Sequence, residues 1–421
     1  MNKILIIGAG VEQVGAIKIA KDMGLNVVVS DMNPNAPAIK FADTFYKIST
    51  TDIIGNIEIG KKENINGVMT VCSETAVPTV AHVANKLNLP CFSIDTANKA
   101  TNKSEMRNVL SENNIRVAPY TIADTFNKVI DFTNEINGPW VLKPVDSSGQ
   151  RGASVISNKN LLQNAFNEAL LYSNTKEVLV DKFVEGQEVH VTMQVINKKV
   201  HFLAFSDRIT LNRDNFGIAV RHIGPSILDS NIKYEIIDLC EKSIKAINLE
   251  NGVATCELII ENNKAFLIEL AIRVPGGYLR EVAMYLSGVD IYKTTVWNCL
   301  GENKRYDEIV TEKSYPAVSV KFISAINLNP KIKKITKIND IKQLETNEIK
   351  LINLHFNNEF EVPELKSSVG RFAAIIGIGS SREQAVKRTE NVFNLIEFNR
   401  MNLKEYNNYN EFNVDFSSYL N

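Results

Sequence analysis

The stretch ATCELIIENNKAFLIELAIRVPGG, Ala254 to Gly277, sets two apolar runs on either side of a polar turn, and each run carries a carboxylate, Glu257 and Glu269. The second run also carries a guanidinium, Arg273. An unpaired ion in a buried strand costs several kcal/mol, so these charges need partners. The β-rich flanks and the Glu261-Asn262-Asn263-Lys264 turn predict a hairpin. If Asn262 to Lys264 form a three-residue loop, Glu257 lies opposite Glu269 on one face, with Cβ atoms about 5 Å apart. A two-residue turn would instead pair Glu257 with Ile268 and send the carboxylates to opposite faces. Like charges that close require a proton or a cation between them. Hard oxygen ligands next to phosphates suit Mg²⁺, which takes one or two carboxylates and completes its shell with phosphate and water. Arg273, four residues beyond Glu269, would then face a transferred phosphoryl group or its acceptor.

Upstream, WVLKPVDSSGQRGAS (Trp140 to Ser154) ends an apolar strand in Lys143 and follows it with Ser147, Ser148, Gly149 and Gly152. A strand-end lysine reaches phosphate oxygens, and small residues let backbone N–H groups approach an anion. The lysine precedes the glycines, which is the reverse of a Walker A loop. A solvent loop beside a snorkelling lysine has the same sequence signature. VLVDKFVEGQEVHV (Val178 to Val191) leads an apolar strand into Asp181, Lys182 and Val184, then Gly186 and Glu188. Such a hinge can present its main chain to an adenine edge, and a carboxylate just beyond can accept ribose hydroxyls. A plain glycine turn with a surface glutamate would look alike.

The first residues are a β-α-β unit: KILII, a Gly8-Ala-Gly10 turn, helical spacing from Val11 to Met23, and a strand from Asn26. GAGVEQVG with Asp31 at the next strand end invites a dinucleotide reading, but Gln13 stands where the third glycine belongs. The alternatives are a tight strand-to-helix turn or a substrate-facing helix N-terminus. Glu74, after GVMTV, lies at a strand's carboxyl end, where ligands of doubly wound domains bind. Four segments are expected: a doubly wound α/β domain over 1–97, a smaller piece over 98–175, a β-rich piece over 176–305, and a closing domain over 306–421.

The charge balance, 47 basic against 48 acidic residues among 421, offers no general attraction for nucleic acid or an anionic membrane. Five scattered cysteines without Cys-x-x-Cys spacing give neither a disulfide framework nor a thiolate metal site. With no run near the roughly 20 apolar residues of a membrane span and no signal h-region, a cytoplasmic protein is expected.

Lysine, glycine-rich loop, hinge, paired glutamates and arginine, in this order and spacing, resemble the ATP-grasp superfamily of carboxylate-amine ligases over nearly the whole chain. The resemblance implies a mixed α/β and α+β architecture: a pre-grasp domain, a two-part grasp and a C-terminal domain. It implies ATP and one or two Mg²⁺, with Mn²⁺ as an alternative ion. ATNKSEMR looks like the family's first nucleotide lysine at Lys103 and VLKP like its second at Lys143; DSSGQRG, with Ser148 and Gly149, matches the phosphate-covering loop. Asp181 and Lys182 are implied at the adenine edge, Val184 as its main-chain contact, Glu188 at the ribose, Glu257 and Glu269 as metal ligands, and Arg273 as the catalytic arginine.

The family's asparagine two residues past the second glutamate is Ala271 here, which leaves a second metal one protein ligand short. Arginine followed by Gly276-Gly277 is similar to the amino-acid ligase branch. The implied reaction joins a carboxylate to an amine through an acyl phosphate, with amino acids as the expected substrates and a homodimer as a family-level expectation. Arg208, His222 and Glu74, with Arg273, Gly276 and Gly277, are the candidate substrate contacts. Competing readings are capture of ammonia or bicarbonate, arrest at the phosphorylated intermediate, and a non-catalytic nucleotide sensor.

Overall fold

The computed structural model describes residues 2–402 apart from 148, 150, 211–216, 303, 329–331, 337, 339–340, 356–358, 366 and 400. The chain opens with β1 (Lys3–Ile7), α1 (Gln13–Asp22), β2 (Asn26–Asp31), β3 (Thr44–Lys47), α2 (Ile53–Glu63), β4 (Gly67–Thr70) and α3 (Val77–Leu87). Its four strands pair in parallel in the order β3-β2-β1-β4. Alternate residues of β1 serve opposite faces: Ile4 and Ile6 pack with Ala16 and Ile17 of α1, Leu5 and Ile7 with Ile59 of α2 and Val80 and Val83 of α3. Both faces are covered, as a continuous apolar run requires.

The glycine turn after β1 is closed by its own residues. Gly8 has φ +104°, the Ala9 N–H donates to Asp31 Oδ2 at 2.8 Å, and the buried Gln13 side chain donates to the Val71 carbonyl. Gln13 Oε1 would stand 3.0 Å from a Cβ on Gly10, so it fills the concavity that a pyrophosphate would need. Asp31 is spent on backbone N–H groups, a structural turn rather than a ribose site.

Two helices, α4 (Ile94–Thr101) and α5 (Lys103–Glu112), lead into β5 (Tyr120–Ala123), α6 (Phe126–Glu135), β6 (Trp140–Pro144), β7 (Ser154–Ile156), α7 (Leu162–Leu171) and β8 (Val178–Lys182). These strands form an antiparallel sheet in the order β5-β8-β6-β7. Leu142, Val178 and Val180 pack against Val129, Phe132, Phe166 and Ala169 of the two helices. The period of two therefore turns Lys143 and Asp181 to the opposite face.

The remaining elements are β9 (Gln187–Ile196), β10 (Lys199–Thr210), β11 (Ala219–Gly224), α8 (Ser230–Ala246), β12 (Gly252–Glu261), β13 (Lys264–Ala271), α9 (Leu279–Ser287), α10 (Ile291–Cys299), α11 (Tyr306–Ile309), β14 (Ala317–Ser324), β15 (Lys334–Ile335), β16 (Ile349–Leu354), β17 (Phe360–Glu361), β18 (Arg371–Gly379), α12 (Arg382–Phe393), β19 (Glu397–Phe398) and β20 (Met401–Asn402). One sheet in the order β13-β12-β9-β10-β11-β14-β18-β16 runs through the expected boundary at 305/306. Buried ion pairs tie α12 to this sheet: Arg382 to Asp207 at 2.6 Å, and Arg221 to Glu390. Among the described residues no helix is long and apolar enough to cross a membrane.

The β12–β13 hairpin reaches the expected pairing by another route. Its turn has two residues, Asn262 and Asn263, both at positive φ (50° and 58°), and Glu261 pairs with Lys264. Asparagine tolerates that conformation better than most side chains, which fits a tight hairpin turn. The strands run in step as far as Leu258 opposite Leu267, and then Ile268 is an extra residue. That bulge brings Glu257 opposite Glu269.

Candidate active site

A cleft of about 490 Å³ lies between the small antiparallel sheet and the large one. It adjoins a second cavity of about 270 Å³, and His190, Arg208, Glu257 and Glu269 line both. On the small-sheet side, Lys103 and Lys143 enter the cleft. Lys103 opens α5, where the Asn102 side chain caps the helix by accepting from the Ser104 N–H at 2.9 Å. Its ammonium donates to the Ser147 carbonyl at 2.7 Å, at the base of the glycine-containing loop. Gly149 lines the cleft at φ +68°; Ser148 is outside the described residues.

Lys143 stands 3.2 Å from Asp181, and Arg107 grips the same carboxylate with Nε and Nη2 at 3.2 and 3.1 Å. Arg107 is 1% exposed and Asp181 4%. Burial works to raise the Asp181 carboxyl, but Arg107 and then Lys143 hold it below the ordinary aspartate range. Burial also pulls Lys143 below the usual lysine value, against the attraction of Asp181. Asp181 and Lys182, the expected adenine-edge pair, are not among the residues that line the cleft. Asp181 instead holds Lys143 in place. The Lys182 and Phe183 N–H groups are engaged by the Pro119 and Pro139 carbonyls. Val184 and Glu188 do line the cleft. Glu188 accepts from Arg208 and from Thr210 Oγ1 at 3.0 Å, so the expected ribose carboxylate and the expected substrate arginine are each other's partners. Burial works against the Arg208 charge, and Glu188 foremost keeps it secure.

On the large-sheet side, Glu257 is half-exposed to the cleft, with His190 Nε2 at 3.4 Å from the neighbouring strand. Its place deep in the cleft strips water from it and opposes its ionisation, yet His190, Arg208 and Arg273 bring its carboxyl down to about 2. Glu269 makes no ion pair with a protein cation among the described residues. Two hard carboxylates with one facing open space fit a divalent ion that also binds phosphate oxygens. No group of three or more His, Cys, Asp or Glu side chains among the described residues encloses a metal by itself. Ala271 lines the second cavity and supplies no donor there.

Arg273 sits where two sheets meet. Val71, just past β4, bridges to Val274, and the Cys72 N–H donates to the Val274 carbonyl at 3.1 Å. Glu74, 7% exposed, approaches Arg273 Nε at 2.9 Å. Burial lifts the Glu74 carboxyl above its usual range, while Arg273 restrains it. Glu74, Arg208, His222, Arg273, Gly276 and Gly277 all line the second cavity. His222 is 2% exposed, its ring edge on His190 at 5.4 Å and on Phe322 at 5.3 Å. Burial and the nearby His190, Arg208 and Arg371 hold it well below the ordinary histidine value, hence neutral. Arg221 faces the other way, donating to Ser319 and Thr389 at 2.7 and 2.8 Å. Gly277 at φ +64° comes close to both His222 and Arg371, so a side chain there would be strained and would narrow the cavity.

Sequence reasoning missed His190, Arg107 and Arg371. The first two had signals. His190 alternates with apolar neighbours inside VHVTMQVI, and Arg107 lies one helical turn after Lys103 on the same face of α5. Arg371, on β18, comes from the far end of the chain and had none.

Comparison with known proteins agrees with this layout. Residues 108–277 match the model of the ATP-grasp domain, and residues 4–87 match that of the PylC-like N-terminal domain. The carbamoyl phosphate synthase large chain of Pseudothermotoga lettingae is 21% identical over 291 residues, 65% of this chain and 26% of that one. The chain spans between about a quarter and a half of the length of the curated relatives it matches. Among solved structures, an L-amino acid ligase from Bacillus licheniformis superposes with TM-score 0.79 at 18% identity, over 96% of this chain and 99% of that one. A phosphoribosylglycinamide synthetase from Anaerococcus prevotii does so with TM-score 0.76 at 21% identity, over 94% and 99%. In keeping with the cleft between two sheets, the two lysines and the facing carboxylates, residues 108–277 are an ATP-grasp domain, and residues 4–87 ahead of it are a PylC-like N-terminal domain.

Proposed function

We propose that the chain is an ATP-dependent ligase that activates a carboxylate as an acyl phosphate and joins it to an amine, releasing ADP and phosphate. The observation that carries this reading is the adjacency of the two cavities. Facing carboxylates and two lysines surround the space for a triphosphate, and that space opens onto a pocket holding Arg273. Phosphoryl transfer needs alignment and charge neutralisation more than covalent help. Lys103 and Lys143 supply positive charge from one wall. Glu257 and Glu269 would hold Mg²⁺ from the other, where the ion would neutralise phosphate oxygens. Val184, which lines the cleft and whose main chain makes no hydrogen bond among the described residues, would meet the adenine edge.

Arg273 would take the charge that develops on the transferred phosphoryl group and then on the tetrahedral adduct. Its pairing with Glu74 fixes its orientation before substrate arrives. The small, charged pocket beyond it, with Gly276, Gly277 and Arg371, suits a compact polar acid such as an amino acid. Neutral His222 can accept or donate one hydrogen bond there without adding charge.

An ADP-release screen with ATP and Mg²⁺ across the L-amino acids and small carboxylates tests the reading. Glu269→Gln is expected to lower the rate with any productive pair by about 10²-fold, since a metal ligand is lost while the shape is kept. ADP release that needs both an acid and an amine supports ligation; release with ammonia or bicarbonate alone supports the narrower chemistry. Equal rates from the two proteins would refute the metal assignment.

A further inference from the structure

Three arginines line the second cavity: Arg208, Arg273 and Arg371. Two of them have protein carboxylates as partners, Arg208 in Glu188 and Arg273 in Glu74, whose Oε2 lies 2.9 Å from Nε. Arg371 has no carboxylate within ion-pair distance among the described residues. The acidic side chains of the same wall are engaged elsewhere: Glu74 with Arg273, Glu257 with His190 at 3.4 Å, and on the ligase reading Glu257 and Glu269 with a metal ion. The guanidinium of Arg371 is thus the wall charge that the protein does not balance.

This side chain is nonetheless held still. Arg371 opens β18; its Nε donates to the Ser368 carbonyl at 3.0 Å, and its guanidinium lies 4.0 Å over the centre of the Phe322 ring. Its own carbonyl is 2.8 Å from His355 Nδ1, the His355 Nε2 is 2.9 Å from the Tyr278 hydroxyl, and that hydroxyl accepts from Asn353 Nδ2 at 2.8 Å. Tyr278 follows Gly276-Gly277 directly, so one network fixes both the glycine pair and the base of Arg371. Neither terminal nitrogen of Arg371 donates a hydrogen bond among the described residues. A planar fork with its stem fixed and both tips open is the geometry that receives a carboxylate through two parallel bonds. The loss of water around it, and then Arg208, pull the guanidinium down to about 10 against Glu12 and Tyr278, so it stays charged at neutral pH and poorly solvated.

We propose that Arg371 binds a second substrate carboxylate, one that is not phosphorylated, and thereby selects carboxylate-bearing substrates over their amides. The proposal rests on the ligase reading, in which the reacting carboxylate belongs to Arg273 and the metal-facing glutamates. The second carboxylate has two sources: the distal group of a dicarboxylic donor, or the α-carboxylate of an amino-acid acceptor. Both present the same planar anion to the fork. The neutral His222, whose Nε2 stands on the same side of Gly277 as Arg371 Nη2, adds no competing charge.

The test measures ADP release by the full chain with ATP and Mg²⁺, pairing L-amino acids and small mono- and dicarboxylic acids as donors with L-amino acids as acceptors. Each productive pair is then repeated with one carboxylate replaced by its amide. Aspartate against asparagine and glutamate against glutamine report on the donor; an amino acid against its α-amide reports on the acceptor. In one of the two series, Arg371→Met is expected to lower kcat/KM for the carboxylate form about 10²-fold more than for the amide form, and that series names the source. The ratio within one variant does not depend on how much of the protein is folded. Arg371→Lys, which keeps the charge without the fork, should recover part of the difference. Where the wild type turns over no amide, a rise in KM of about 10²-fold for the carboxylate form with kcat kept supports the proposal, and an unchanged KM overturns it. Equal reductions for carboxylate and amide forms in both series would also overturn it while leaving the ligase reading intact. No ADP release by the wild-type chain with any pair would overturn the ligase reading and this inference with it.

Discussion

Arg273→Ala is expected to lose both activity and stability, and the two losses are separable. Removing a charge that stabilises a transition state costs about 10²–10³ in kcat. Removing one partner of a buried ion pair costs about 3–5 kcal/mol, because Glu74 is left desolvated without its cation. A second substitution, Glu74→Gln, should restore most of the stability in urea denaturation and none of the ADP release. The pH dependence has a definite sign. A carboxyl whose folded pKa is raised binds its proton more tightly in the native state, so stability is full below the unfolded value of 4.5 and is lost as pH rises through the folded one. Without Arg273 the Glu74 value rises further. The stability gap between Arg273→Ala and wild type should therefore widen as pH rises through the wild-type folded value, which lies above 4.5. A gap of constant size would show that Glu74 is not the group left uncompensated.

Asp181→Asn should be the most destabilising isosteric change on the nucleotide side. The carboxylate holds Arg107 and Lys143 together, and its loss leaves two buried cations facing each other without an anion. About 3–5 kcal/mol is again the scale. Here the folded carboxyl lies below its unfolded value of 3.8, so the stabilisation is complete above that pH and is lost as pH falls through the folded value. The variant and wild type should accordingly converge in strongly acidic solution, as followed by denaturant midpoints. A neutral substitution with no change in midpoint would mean that Arg107 and Lys143 find other partners. ATP binding should weaken as well, because Lys143 loses the contact that directs it.

How far the site could be read from the chain depends on the kind of contact. Lys143, Glu188, Glu257 and Glu269 stand at strand ends or on alternating positions, where a period of two decides the face, and all four line the cleft between the two sheets. The hairpin shows the limit. Expecting a three-residue loop led to the right facing of Glu257 and Glu269, whereas the chain uses a two-residue turn and recovers the register with Ile268. Nothing in the apolar run LIIENNKAFLIEL marks that bulge, since it has no glycine.

Asp181 shows a different limit: a carboxylate at a strand end can face a ligand or a buried cation, and only the fold reveals Arg107 beside it. The closing segment expected over 306–421 rests on its short strands and single helix; β14, β16 and β18 also join the large sheet by backbone hydrogen bonds, which side-chain patterns do not report. Cys72 and Arg371 come from separate parts of the chain and flank Gly276-Gly277 only through tertiary packing.

The account depends above all on Glu257 and Glu269 holding a divalent ion against bound ATP. Calorimetric titration of ATP into the wild-type chain and into Glu257→Gln/Glu269→Gln, each with Mg²⁺ and with excess EDTA, addresses this directly. The double variant is expected to bind ATP at least about tenfold more weakly than wild type when Mg²⁺ is present, and as well as wild type in EDTA. Equal affinities with Mg²⁺ present would contradict the assignment of these two carboxylates.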